Sequence, residues 1–247
     1  YYEGYFRNGK NTFKIKLKNR DNSLEYIYNM ISIKDNYYSG NMDLTTISNG
    51  VYDLYIVGDT EERLLNKMNV LSKIVRSRVG NKLVSVLYED DMVSIKIENF
   101  EYKYDIVIDP GHGGSDIGAS NGIMLEKDLN LKISKYEKCR YESMGYRVYM
   151  IRNDDSYGEM LGSGSLDQLD RRALAIGYYG AVSRVVYSNH HNGSARTSDN
   201  GFEIIVSNQI SKDDLSLELS LYNKYRNLYG INDNTVRIYS RDYNTGN

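Results

Sequence analysis

Residues 105–114 read DIVIDPGHGG, and this stretch decides the fold that we expect for the second half of the chain. Its first five residues form an apolar run with acidic ends, which is typical of a buried strand in a parallel sheet. A glycine-rich loop follows, and helical spacing of apolar residues predicts a helix over about 126–144. The elements that follow are predicted to be strands at 146–151, 182–189 and 202–207 and helices at 166–179 and 213–229. Alternating strands and helices indicate an α/β fold.

Residues 1–103 have a different pattern, because short runs of alternating apolar and polar residues lie between turn residues. Phe13, Ile15 and Leu17 share one face of a predicted strand, and residues 51–57 are rich in β-branched and aromatic side chains. The sequence therefore predicts two domains. A β-rich, sandwich-like domain covers residues 1–103, and an α/β domain covers residues 104–247.

Two details of the β-rich region are left open by the sequence. The spacing of Leu44, Ile47, Gly50 and Tyr52 is similar to a tyrosine corner of immunoglobulin-like sandwiches. Residues 61–79 fit either a helical apolar stripe or two strands separated by a break.

The composition excludes some classes of protein and partner. Lys and Arg total 31 and Asp and Glu total 33, so the net charge is −2 and gives no bulk reason to bind nucleic acid or an anionic membrane. The apolar stretches are too short for a transmembrane helix. The single cysteine, Cys139, excludes an intrachain disulfide. No signal peptide opens the chain, which starts at Tyr1, so we expect a processed or trimmed product.

The rare residues cluster where chemistry is expected. All three histidines and the single proline fall within residues 109–114 and 188–192. His112 and His190 each follow a predicted strand. Glu126 is the first residue of the predicted helix that comes after the strand at 105–109. Functional groups of α/β sheets gather at the carboxyl ends of strands, so these three side chains are expected to converge. Two imidazoles and one carboxylate are ligands typical of a transition-metal ion, and Zn²⁺ is the ion that we expect first. Three protein ligands leave a fourth coordination position for water.

Each of these residues also has an ordinary interpretation. A single histidine is more often a packed or surface residue than a ligand, and a Glu at a helix N-terminus is favoured by the helix dipole alone. His190 and His191 cannot both bind one ion, because side chains alternate along a strand. Asp109 and Asn192 are candidates for orienting the ligands through hydrogen bonds.

Several motifs together resemble one family. Residues 106–118 (IVIDPGHGGSDIG), Glu126 within LEKDLNL, and the SNHHN of residues 188–192 resemble the metal motifs of the zinc-dependent N-acetylmuramoyl-L-alanine amidases of the third amidase family. Leu169 with Arg172 resembles their L-x-x-R helix. Residues 201–203 resemble their G-x-E strand. The resemblance covers residues 104 to about 240, and residues 1–103 lie outside it.

The resemblance implies a bacterial cell-wall hydrolase with an α/β fold around a mixed sheet. Zn²⁺ would be held by His112, Glu126 and His190, and His191 would occupy the variable position of the motif. The substrate would be peptidoglycan, cleaved at the amide between N-acetylmuramic acid and L-alanine. The resemblance also implies a protein that is secreted or associated with the cell wall.

The chain departs from the family at one position that matters for catalysis. Family members carry a general-base Glu in a strand near the C-terminus, whereas this sequence has no Glu after Glu218. Glu203 belongs to a different motif, so the catalytic base stays unknown. We expect a C-terminally incomplete domain, without the family's last strand and helix, that binds zinc and cleaves cell wall poorly. The alternatives are a non-catalytic peptidoglycan-binding module that retains the zinc fold and a zinc peptidase of other specificity. The role of residues 1–103 and the oligomeric state stay open.

Overall fold

The computed structural model describes residues 2–5, 12–59, 61–66, 76–89, 91–162, 167–194, 201–207, 215–229 and 236–241. The chain divides into two compact units, Tyr1–Asn192 and Gly193–Asn247. The predicted boundary near residue 104 lies inside the first unit, so the division into domains at that point stays a prediction.

The first unit contains thirteen of the described strands and two of the described helices. They are β1 (Tyr2–Tyr5), β2 (Lys14–Asn19), β3 (Glu25–Asn29), β4 (Ile31–Lys34), β5 (Tyr37–Gly40), β6 (Gly50–Val57), β7 (Glu62–Leu64), β8 (Arg76–Val79), β9 (Lys82–Glu89), β10 (Met92–Asn99), β11 (Tyr104–Pro110), α1 (Glu126–Ser143), β12 (Val148–Met150), α2 (Gln168–Gly180) and β13 (Ser183–Asn189).

The β-rich part consists of two sheets that share one apolar core. A seven-stranded antiparallel sheet runs in the order β3-β2-β6-β10-β9-β8, with β7 paired to β6, and a second sheet runs in the order β1-β5-β4. Tyr38 on β5 packs edge-on against Phe13 beside the large sheet, with ring centroids 5.0 Å apart. The same core contains the fully buried Leu17, Tyr52 and Ile97. The β-rich, sandwich-like expectation is therefore confirmed.

The two open details of this region are resolved to different extents. The Tyr52 hydroxyl donates a 2.8 Å hydrogen bond to the carbonyl of Ser48, four residues upstream, which is the contact that defines a tyrosine corner. Within residues 61–79, the described parts are the strands β7 and β8 rather than a helix. Residues 67–75, on which most of the apolar stripe falls, lie outside the described residues.

The α/β part is built on the predicted apolar run. Strand β11 lies between β12 and β13, and both pairings are parallel. Val107 and Ile108 are fully buried, because a central strand covered on its faces must be apolar on both sides. Pro110, the last residue of β11, lies opposite Asn189, the last residue of β13, so both strands end at one edge. The α/β class is confirmed.

Helix α1 buries a polar face. Glu126, Asn130 and Ser134 recur every four residues and are buried, whereas Ile133 and Tyr136 of the predicted apolar spacing are exposed. The apolar spacing predicts the helix correctly. Its inward face is polar, because that face meets the strand ends where the predicted ligands lie.

The β-rich and α/β parts of the first unit contact each other through cation–π stacking. The Arg76 guanidinium on β8 lies 3.6 Å from the ring centroid of Tyr178 on α2 and donates a 2.5 Å hydrogen bond to its hydroxyl. Arg184 on β13 lies 4.4 Å from the ring of Tyr102. These contacts fasten the two sequence regions together.

The second unit contains β14 (Phe202–Ser207), α3 (Ser216–Tyr229) and β15 (Val236–Arg241), and its two strands pair in parallel. The rings of Phe202 and Tyr225 stack with centroids 3.9 Å apart, which packs α3 on β14. Strand β15 is not among the predicted elements, although its apolar Val236 and Ile238 alternate with Arg237.

Among the residues that the structure describes, the helices lack the length and the apolar character of a membrane-spanning segment.

The first prediction tests the hydrogen bond of the tyrosine corner. Tyr52→Phe removes the hydroxyl that bonds to Ser48 and leaves the buried ring in place. We expect it to lower the free energy of unfolding by about 1 kcal/mol, measured by urea denaturation of the whole chain.

The control is Tyr136→Phe, which removes the hydroxyl of a side chain that is 73% exposed. It should change the free energy of unfolding by less than about 0.5 kcal/mol. Equal effects of the two variants would show that the corner contributes nothing specific.

Candidate metal centre

Three side chains from separate parts of the chain meet at the carboxyl edge of the parallel sheet. His112 lies two residues after β11, His190 directly follows β13, and Glu126 is the first residue of α1. One potential ligand atom from each of these residues lies within 4.8 Å of the others. Among the residues that the structure describes, these three side chains are close enough together to hold a metal ion.

The Glu126 carboxylate lies between the two imidazoles. Its Oε1 is 3.0 Å from Nδ1 of His190, and its Oε2 is 3.3 Å from Nε2 of His112. The side chain of Glu126 is 5% exposed, that of His112 is 24% exposed and that of His190 is 44% exposed. The group is therefore anchored in the protein on the carboxylate side and open to solvent on the His190 side.

Glu126 is held in its charged form. Burial acts to raise the pKa of the carboxyl, but the backbone N–H groups of Ala119 and His191 donate hydrogen bonds to it, and the net effect lowers the pKa below its ordinary value. A charged carboxylate at neutral pH is the form that binds a cation.

His112 is oriented by a carboxylate that the sequence analysis did not identify. Asp116 Oδ2 lies 2.9 Å from Nδ1 of His112. Burial acts to raise the pKa of Asp116, but the hydrogen bond with His112 and other contacts lower it overall, so the charged carboxylate accepts a hydrogen bond from Nδ1 of His112. With the proton on Nδ1, the lone pair of Nε2, which lies 3.3 Å from Oε2 of Glu126, is available to a metal ion. Such a carboxylate–imidazole pair is the usual way in which proteins orient a metal-binding histidine.

The backbone at His112 is held in the left-handed region, with φ of 60°. A residue other than glycine adopts this conformation at a cost, so the surroundings must enforce it. The carbonyl of His112 accepts a 2.6 Å hydrogen bond from Nη1 of Arg172, which fixes this peptide.

Two glycines leave the space in which the three side chains meet. A Cβ at Gly118 would lie 2.6 Å from Cδ2 of His112 and 2.7 Å from Oε2 of Glu126. A Cβ at Gly111 would lie 2.5 Å from Nε2 of His190. A methyl group at either position would therefore occupy the cradle that a metal and its ligands need.

Asp109 lies behind the site rather than beside the predicted ligands. It is buried and accepts hydrogen bonds from Arg172 at 2.8 and 2.6 Å and from the Ser188 hydroxyl at 2.6 Å. Arg172, which donates to Asp109, also donates a hydrogen bond to the carbonyl of His112. The orienting role of Asp109 stays a prediction.

His191 and Asn192 are placed differently from His190. The Nδ1 of His191 lies 2.6 Å from Oδ1 of Asn130, away from the other imidazoles. Its ring does not belong to the group of possible ligands found in the described residues, which fits the prediction that the two neighbouring histidines diverge. Asn192 is exposed two residues beyond His190, so its orienting role stays a prediction.

Besides Asp116, two buried residues next to the site, Asn130 and Arg152, are not among the predicted site residues. Both contact backbone carbonyls far away in the sequence. Sequence spacing does not predict such contacts. Asn130 does lie one helical turn after Glu126, and this spacing indicates that both side chains share one face of the helix.

The donor set suits a divalent transition metal. Two imidazole nitrogens and one carboxylate oxygen are the ligand types that such ions accept, and three protein ligands are typical of a site that keeps a position for water. The structure thus offers His112, Glu126 and His190 to a metal ion. The glycines at positions 111 and 118 supply the room that the ion requires.

A family model described as N-acetylmuramoyl-L-alanine amidase matches residues 106–243. The chain is similar to the probable cell wall amidase LytH of Staphylococcus aureus, with 51% identity over 55 residues, 21% of this chain and 19% of that protein. It is also similar to the N-acetylmuramoyl-L-alanine amidase AmiC of Neisseria meningitidis serogroup B, with 47% identity over 53 residues, 21% of this chain and 13% of that protein. The matched segments therefore span less than a fifth of each relative.

Among solved structures, the chain is similar to the CwlD amidase from Clostridioides difficile in complex with the GerS lipoprotein. The two chains are 24% identical with a TM-score of 0.47, over 57% of this chain and 75% of that one.

The second prediction tests the space that Gly118 leaves beside His112 and Glu126. Gly118→Ala places a methyl group against both His112 and Glu126, so we expect it to weaken Zn²⁺ affinity about tenfold or more, measured by competition with a chelator.

The matched control is Gly122→Ala in the same loop. Gly118 and Gly122 have φ of +64° and +84°, so both alanines strain the backbone, but a Cβ at Gly122 meets nothing within 4 Å. Gly122→Ala should impose the backbone strain alone and leave Zn²⁺ affinity unchanged, whereas Gly118→Ala adds the steric contact with His112 and Glu126. Equal Zn²⁺ affinities of the two variants would contradict the prediction.

Proposed function

Because this chain belongs to the N-acetylmuramoyl-L-alanine amidase family, we propose that it hydrolyses the amide between N-acetylmuramic acid and L-alanine of peptidoglycan, using Zn²⁺ held by His112, Glu126 and His190. The observation that carries the proposal is the convergence of these three side chains at one edge of the sheet. Their order in the sequence and their placement in the fold support the same ligand set.

Each ligand residue has a separate part in this function. Bound zinc would polarise the scissile carbonyl and lower the pKa of a coordinated water to about 7. Glu126 supplies negative charge from the buried side and balances the cation. His112 is kept in one tautomer by Asp116. His190 is the most exposed of the three, so substrate has access to the site from its side.

The general base stays unassigned. The family resemblance places it on a Glu near the C-terminus, and the 247-residue sequence has no Glu after Glu218. We therefore expect slow turnover by this chain. The second candidate function is a module that binds peptidoglycan through the same site without cleaving it.

A peptidoglycan substrate implies a place of action outside the cytoplasmic membrane. We propose that the protein is secreted or associated with the cell wall, as the relatives named for cell-wall amidase activity suggest.

The third prediction tests the function through its products. Purified peptidoglycan incubated with the chain and Zn²⁺ should slowly release stem peptides that begin with L-alanine, because the amide cut leaves a free alanine amino group. Amino-group labelling followed by mass spectrometry measures this product. Cleavage within the stem peptide would instead show a peptidase.

The matched control uses the neighbouring histidines. His190→Ala should remove bound zinc and abolish release, and His112→Ala and Glu126→Ala should do the same. His191→Ala should keep its zinc, as measured by elemental analysis. Loss of zinc from His191→Ala but not from His190→Ala would overturn the ligand assignment. Co-sedimentation with peptidoglycan that is never accompanied by peptide release would favour the binding module.

A further inference from the structure

Arg152 follows strand β12 and is buried to an unusual degree for a charged residue, at 2% exposure. Its guanidinium donates four hydrogen bonds, and all four end on backbone carbonyls. Nε donates to Pro110 at 2.8 Å and Nη1 to Asp154 at 2.9 Å, while Nη2 donates to Gly111 at 3.1 Å and to Lys127 at 2.7 Å.

Such a buried cation is costly to keep. Burial lowers the pKa of Arg152, and the nearby charge of Arg172 lowers it further. A buried charge whose hydrogen bonds go to neutral carbonyls is poor evidence for a purely stabilising role, because an apolar side chain of similar size would avoid the desolvation penalty. The position of the four carbonyls gives a better reason for its presence.

The Nη2 atom of Arg152 bridges two segments that carry predicted ligands. Gly111 directly precedes His112, and Lys127 directly follows Glu126. One nitrogen therefore holds the loop after β11 and the first turn of α1 at a fixed separation. The distance between His112 and Glu126 depends on that separation.

Asn130 connects the third segment to the same carbonyl. Its side chain is fully buried, and Nδ2 donates a 3.0 Å hydrogen bond to the carbonyl of Gly111. Its Oδ1 lies 2.6 Å from Nδ1 of His191, the residue next to His190. The Gly111 carbonyl is thus a common attachment point for two buried donors that reach the other two ligand segments.

We propose that Arg152 and Asn130 are positioning residues of the metal centre, which set the spacing of His112, Glu126 and His190 through the carbonyl of Gly111. The inference rests on the metal function proposed above, and neither side chain is itself offered as a ligand.

The fourth prediction uses Co²⁺ as a probe, because its visible absorption reports the geometry of the ligands directly. Arg152→Lys keeps the charge but loses the fork that bridges two carbonyls, and Asn130→Ser shortens the second donor. We expect each variant of the whole chain to bind Co²⁺ about 10- to 100-fold more weakly and with a changed absorption band.

The control is Arg147→Lys, near the start of the same strand. Arg147 is exposed and also donates to a backbone carbonyl, that of Tyr102, but it lies away from the site. Its Co²⁺ affinity and spectrum should equal those of the unmodified chain.

Three outcomes separate the possible failures. Variants that are less stable to urea but bind Co²⁺ with unchanged affinity and spectrum would show a merely structural role and overturn the inference. If Arg152→Lys does not fold by circular dichroism, Asn130→Ser, which alters no charge, decides the question on the same criteria. If the unmodified chain binds no Co²⁺ or Zn²⁺, the proposed function fails first, and this inference fails with it.

Discussion

A buried ion pair between Asp109 and Arg172 fixes the end of the central strand β11. The guanidinium Nη2 lies 2.6 Å from Oδ1 of the carboxylate, and both side chains are buried. Loss of either partner would leave an uncompensated buried charge, at a cost of about 3–5 kcal/mol. Asp109 also accepts a hydrogen bond from Ser188 on β13, and Arg172 reaches the carbonyl of His112. One pair therefore joins two strands, helix α2 and the loop of the candidate metal centre.

The sequence predicts those parts of the molecule whose cause is local. The apolar run of β11 and the spacing of α1 follow from periodicity, and the convergence of the candidate ligands follows from the rule that parallel strands end at one edge. The contacts of Asn130 and Arg152 could not be predicted, because their partners are backbone carbonyls that only the folded chain brings near. Strand β15 lies outside the predicted elements, because its alternation is limited to residues 236–238. The polar inward face of α1 does not follow from the spacing of its apolar residues, because Glu126, Asn130 and Ser134 are buried by contacts with distant parts of the chain.

The sequence pattern changes near residue 104, but the boundary between the two compact units lies elsewhere in the chain. The composition changes where the chain passes from antiparallel to parallel sheet, whereas the compact units divide after Asn192. The stacking of Arg76 on Tyr178 explains part of this difference, because it joins the β-rich part to helix α2. Helix α2 also carries Arg172, so the β-rich part is attached to the same helix that supports the loop of the candidate metal centre.

The left-handed backbone at His112 has a consequence for how stability and activity are divided in this protein. Glycine would adopt a φ of 60° without steric conflict, whereas histidine is strained there. The chain thus carries an imidazole at a position where the backbone conformation by itself favours glycine. At this one residue the chain gives up some conformational stability in exchange for a proposed metal-binding side chain. The hydrogen bonds around His112 hold the strained backbone in place.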